Sequence, residues 1–197
     1  MTAMRPILFA LAILAATETA AAQAVTSIDT ELVKGRCRFI DDDGEVGHYA
    51  LKRCPGLAGA QVFTEAGVHS VALSFRWGKR KADDVVKSDS IGTKLEWRGI
   101  KGSQGFRPHA IIVTIVVKDH RADKKNNVLG VLRIEPRNAC LMAVIDEAAN
   151  NGALALARAT ADKDAPSFSC KGGKAKLVGT STQWTQEALG FEGDPPK

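Results

Sequence analysis

The chain carries none of the short signatures that commonly announce catalysis. It has no Gly-x-Ser-x-Gly elbow and no Ser-x-x-Lys pair, which excludes the familiar serine acylation sites. It has no His-Glu-x-x-His, and no two of its four histidines are spaced to form a metal-binding face. No glycine-rich loop joins a strand to a helix in the way that cradles phosphate, so no cofactor is expected. Cysteine is scarce, at four residues. No two of these have the C-x2–4-C spacing of a zinc site, and no histidine sits beside them. There is no internal repeat. Only one long apolar run occurs, and it lies at the N-terminus.

That run reads as an export signal. Met1 to Arg5 is short with one positive charge, Pro6 to Ala16 is apolar throughout, and Ala22-Gln23-Ala24 has the small-x-small pattern of a cleavage site. The run is shorter than the roughly 20 residues needed to span a bilayer. No cysteine follows it closely enough for lipid attachment. Residues 1–24 are therefore expected to be a signal peptide, with the mature chain starting near Val25. The product would be periplasmic or secreted, with no transmembrane segment after cleavage. Residues 25–170 are of a size for one domain.

Cys37, Cys54, Cys140 and Cys170 form an even set in a chain bound for an oxidising compartment, so two disulfides are the natural outcome. Of the three pairings, Cys37–Cys54 with Cys140–Cys170 closes two local segments without interlocking the halves. The formal net charge is +5. Positive residues gather at Arg76 to Lys81, at Lys118 to Lys125, and at Lys171, Lys174 and Lys176. Asp83, Asp84, Asp119 and Asp123 interrupt them. Such clusters more often mark solvated loops than a binding face, so no nucleic-acid partner is expected; an anionic envelope polymer is the alternative partner.

Period-two patterning dominates the centre of the chain. In 69–77, Val71, Leu73, Phe75 and Trp77 alternate with Ser70, Ser74 and Arg76, which predicts a strand with one dry and one wet face. Lys94 to Arg98 repeats this, with Leu95 and Trp97 inward and Glu96 and Arg98 outward. Ala110 to Val117 is apolar and β-branched on both faces, as in a central strand covered on each side. Two further strands, Val128 to Ile134 and Cys140 to Ile145, complete an antiparallel meander. Arg36 to Ile40 and Val46 to Cys54 flank an Asp-Gly hairpin turn. An alanine-rich helix follows over 153–162, capped from Asn150-Asn151-Gly152, with Leu154, Ala157 and Ala161 on its buried face. Arg158 and Asp162 are placed to pair on its outer side. Residues 171–197 read as a flexible basic and polar tail, of which Trp184 and Leu189 could dock. The fold class is α+β, mostly antiparallel β, a sandwich or half-open barrel with one C-terminal helix packed on the sheet.

Candidate chemistry is sparse. Asp41-Asp42-Asp43-Gly44-Glu45 fails as a calcium loop, because the first and last ligand positions would fall on Phe39 and Ala50. His69 and His109 sit at the rim of the predicted core, while His48 and His120 lie in polar segments. Glu96 and Arg98 share the wet face of a strand. With Arg76 on a second strand they form the candidate recognition surface.

Several of these features occur together and in order: Cys37, Cys54-Pro55-Gly56 with Gly59, Glu96-Trp97-Arg98, Arg107-Pro108 with Ala110-Ile111-Ile112, Cys140, Ala157-Arg158 with Ala161-Asp162, and Cys170. In this the chain resembles, over residues 28–170, a group of small exported proteobacterial proteins without an established activity. The resemblance implies export and the same two disulfides, and assigns no functional residue. The leading expectation is a non-enzymatic envelope protein that binds another macromolecule. The alternatives are a small hydrolase built on His69 or His109, and a binder of anionic glycan or lipopolysaccharide.

Overall fold

The structure, a computed structural model, describes residues 24–42, 49–78, 80–81, 85–119 and 124–191. The signal segment up to Gln23, the Asp43–Gly44 turn, His48, His120 and the last six residues lie outside them.

The apolar run at 110–117 forms the spine of the fold. It belongs to β9 (Gly105–Asp119), which sits between β8 (Ser90–Gly102) and β10 (Lys124–Glu135). β11 (Asn138–Asp146) follows after a two-residue turn at Pro136-Arg137, and the meander is antiparallel throughout. β1 (Val25–Glu31) closes one edge beside β8. A second antiparallel sheet is built from β2 (Arg38–Asp42), β3 (Ala50–Pro55), β4 (Ala60–Ala66), β5 (Val71–Trp77) and β6 (Arg80–Lys81), with β7 (Val86–Ser88) also pairing β5. The sheets are open, so the architecture is a sandwich. The expected antiparallel pairing of β2 with β3 is present, and the turn that joins them lies outside the described residues. The long polar segment after Trp77 holds the two short strands β6 and β7.

Alternation along β9 divides its side chains between two cores. Ile111, Val113, Ile115 and Val117 point into the sandwich with Leu95 and Trp97 of β8 and Val62, Leu73 and Phe75 of the second sheet. Ala110 and Ile112 point the other way, under a helix. Each large side chain so buried contributes about 1.5–3 kcal/mol of hydrophobic stabilisation. Trp97 has no exposed surface, and its indole N–H donates to Thr30 Oγ1 at 2.8 Å, so burial leaves no unpaired donor.

The helix α1 (Ala153–Asp164) lies on the outer face of the first sheet. Ala153, Ala157, Ala161 and then Ala165 form a small-residue stripe, which brings the helix close to Ala110, Ile112 and Leu129. A bulge in β11 opposite Val131/Leu132 turns both Met142 and Ala143 toward it. Two expectations change here. Leu154 is exposed, and Thr160 takes a buried place instead. The helix starts at Gly152 (φ 80°) with no side-chain cap, because Asn150 is engaged elsewhere.

Asn150 and Asp146 hold the C-terminal segment, which is not the flexible tail anticipated up to Phe191. Asn150 donates to the Asp146 carbonyl (2.8 Å) and accepts from the Thr180 N–H (2.9 Å). Asp146 has no exposed surface. Its carboxylate accepts from Thr185 Oγ1 (2.6 Å), Asn126 Nδ2 (3.0 Å), Thr182 N and Oγ1 (3.1 Å each), and the Ala148 and Ala149 amides (3.0 and 3.3 Å). Burial alone would raise the Asp146 pKa. The donors from Thr185, Asn126 and Thr182 outweigh it and bring the value down to about 2. Around this anchor, β12 (Lys176–Leu177) pairs parallel with β11, and α2 (Gln183–Ala188) is capped by Thr182. Trp184 and Leu189 dock against the sandwich core, as anticipated, together with Phe191.

Both expected disulfides, Cys37–Cys54 and Cys140–Cys170, are present, and no cysteine is free. Such bonds form and persist in oxidising compartments. No helix among the described residues is long and apolar enough to cross a membrane.

Candidate functional site

Glu96 and Arg98 point away from Trp97, as the alternation required, but their face is not wet. Helix α1 covers it, and the Glu96 side chain is 5% exposed. The two helix residues expected to pair with each other reach down to the sheet instead. Arg158 Nε and Nη2 donate to the two Glu96 oxygens at 2.8 and 3.0 Å, and Ser27 Oγ donates to Oε1 at 2.6 Å. Asp162 takes Arg98 through both oxygens, with Nε at 3.0 Å, and Arg98 also donates to Ser27 Oγ. Burial works to raise the Glu96 pKa; Arg158, Ser27 and Arg98 overcome it, and the group stays below the ordinary carboxylate range. The cluster clamps α1 to β8 and β1 and has its charges matched internally. It is a fastening.

His109 stands at the end of this network. β8 and β9 slip register between Arg98 and Gly99: Arg98 pairs with Ala110 and Gly99 with Pro108, leaving His109 as the unpaired residue of a bulge. Gly99 permits the slip, because a Cβ there would lie 2.4 Å from the Arg107 carbonyl and 2.7 Å from Pro108 Cα. The bulge turns the imidazole toward the helix, with Nε2 3.6 Å from Asp162 Oδ1, beyond hydrogen-bond reach. Burial lowers the His109 pKa below its usual value, against the pull of Asp162, and the cations Arg133 and Arg98 add to the lowering.

Beside His109 a cleft of about 620 Å³ opens at the end of the sandwich where both sheets and the segment after α1 meet. Trp77 and Ala58 come from the second sheet's side. Ile100, Phe106 and Arg107 come from β8 and β9, while Ile134 to Arg137 supply the β10–β11 turn. Two buried polar atoms here lack a hydrogen-bond partner: His109 Nε2 and Arg133 Nε. Leaving such a group unsatisfied costs about 1–3 kcal/mol, so each calls for an explanation. Arg133 uses Nη1 on the His109 carbonyl at 3.2 Å. Backbone strain collects at the same place. Among the described residues, the two non-glycine positions with positive φ are Ala58 (52°) and Arg137 (65°), and both line this cleft.

Comparison of the chain with family models, curated proteins and solved structures finds no match.

Of the residues singled out in the sequence, the structure joins Glu96 with Arg98 and separates Arg76 from both. Arg76 lies on β5 in the other sheet, its guanidinium 4.5 Å over the Phe63 ring, with Nε buried and unpartnered. Its neighbour Ser74, expected in water, is buried. His69 is exposed in the β4–β5 turn. In the third basic cluster Lys176 pairs with Asp164 at 2.9 Å. In the first two clusters Lys79 and Arg121 lie outside the described residues. Three features escaped the sequence reading: Asp146 as an anchor, Arg133 and Arg137 as cleft residues, and the bulge at His109. The available signal was Gly99 within an otherwise regular strand, where glycine often marks a bulge.

Proposed function

We propose that the chain is an exported, non-enzymatic binding protein of the cell envelope, periplasmic or secreted, and that the cleft beside His109 is its binding site. The observation carrying this is the convergence at one place of a pocket-sized cleft, two unpartnered buried polar atoms and two strained backbone positions. The internally matched charges under α1 support the same division of labour, with stability there and binding at the sandwich end.

The hydrolase reading draws on His109 beside Asp162. Two observations weigh against it. Asp162 is committed to Arg98 through both oxygens. The cleft lining contains no serine, threonine or cysteine to act as a nucleophile.

The test is photocrosslinking in intact cells, with Phe106 at the cleft replaced by benzoylphenylalanine and the exposed, remote Val68 replaced likewise as a control. A discrete adduct mass at position 106 and none at 68 is the expected result. Identical patterns at both positions would remove the cleft as the binding site.

A further inference from the structure

Taking the cleft as the binding site proposed above, we infer that its occupant is a single-chain amphiphile with an oxyanion head, a carboxylate or a phosphate monoester, on an apolar body. The charge of the lining is one-sided. Arg107, Arg133 and Arg137 face it from two different strand pairs, and the one acidic residue there, Glu135, already accepts the Cys170 N–H at 2.9 Å. A guanidinium offers its N–H groups in a planar fork that matches two oxygens of one anion. Arg133, which also lines the cleft, has Nη1 engaged on the His109 carbonyl, while its Nε is buried without a hydrogen-bond partner.

The remaining wall is apolar, with Trp77, Phe106 and Ile134 positioned to cover a hydrocarbon or aryl body. The volume of about 620 Å³ suits one drug-sized molecule and not a two-chain lipid. Organic cations would meet three guanidiniums. A neutral alcohol would cover the apolar wall and leave the arginines without a counter-charge. The turn geometry fits the same function: Arg137 occupies the left-handed position that glycine would take without strain, and so places a cation at the cleft mouth.

The full-length exported protein, purified with its disulfides intact, is titrated with four probes of one chain length, the ionic ones below their critical micelle concentrations and the alcohol below its solubility limit. These are dodecanoate, dodecyl phosphate, dodecanol and dodecyltrimethylammonium. Binding is followed by calorimetry and by tryptophan fluorescence, since Trp77 lines the cleft. Both anions should bind about tenfold or more tightly than the alcohol, with the cation weakest. A preference between the two anions would identify which headgroup is used. Arg133→Met should weaken the anions by about tenfold and leave the alcohol unchanged. If Arg133→Met does not fold, the exposed Arg107→Met is read in the same way. Dodecanol or the cation binding as tightly as the anions overturns the charge assignment and leaves the cleft as a binding site. Failure of every probe overturns the amphiphile. If no adduct forms at Phe106 either, the binding-site reading falls with it.

Discussion

Replacing Asp146 by asparagine tests whether one carboxylate holds the C-terminal segment onto the sandwich. The folded-state pKa of about 2, against 3.8 for the free group, means that ionised Asp146 favours the folded state. The linkage is worth about 2–3 kcal/mol at neutral pH. Asparagine keeps the shape but removes the charge and directs an N–H2 at neighbours that are themselves donors. The hydrogen bonds from Thr185, Asn126 and Thr182 that would be lost are those that depress the pKa, so Asp146→Asn should lose about 2–3 kcal/mol in all. The sign of the pH dependence follows from the depressed pKa. The carboxylate's contribution is complete above about pH 4 and is lost as pH falls through about 2. Urea denaturation with disulfides intact, run from pH 7 down to pH 2.5, should therefore show the gap between wild type and variant narrowing in acid. Hydrogen exchange should quicken first at Val178, whose N–H bonds the Val144 carbonyl, and at Thr185. A gap under about 1 kcal/mol at pH 7, or one indifferent to acid, refutes the anchor.

Three further outcomes can be checked on the same material. Gly99→Ala should destabilise by about 1–3 kcal/mol, because its Cβ would strike the Arg107 and Pro108 backbone; two-dimensional NMR should show the His109 ring signals displaced, and an unchanged spectrum with full stability would contradict the close approach. Glu96→Gln should cost about 2 kcal/mol and Arg158→Met, whose side chain is 44% exposed, about 1 or less; the reverse ranking in chemical denaturation would mean that the pair is not what clamps α1. Removing Cys140–Cys170, which spans 30 residues, should cost about 3.6 kcal/mol and removing Cys37–Cys54, which spans 17, about 3; double-serine variants compared by thermal unfolding test that order.

What the sequence displayed well was whatever a single strand decides for itself. The β-branched run 110–117 named its own central place because both its faces are apolar. The alternation 71–77 put Leu73 and Phe75 in the core for the same reason. Local cysteine spacing sufficed for the disulfides. The failures share a cause, which is cover arriving from far along the chain. Glu96 looks solvated until Arg158, more than 60 residues later, descends on it. Asp146 looks like an ordinary strand terminus until Thr182 and Thr185 return to it. The cleft was illegible because it is assembled from a bulge, a strained turn and a loop of the other sheet, none with a motif of its own. Arg137 in particular occupies a left-handed turn position that propensity would have assigned to glycine or asparagine.

The bridges join the first cysteine to the second and the third to the fourth. A chain threaded into an oxidising space from its N-terminus would present each thiol to its rightful mate before any competitor arrived. Sequential oxidation therefore yields the native bonds directly, and maturation should proceed at full yield in cells that retain a thiol oxidase but lack a disulfide isomerase.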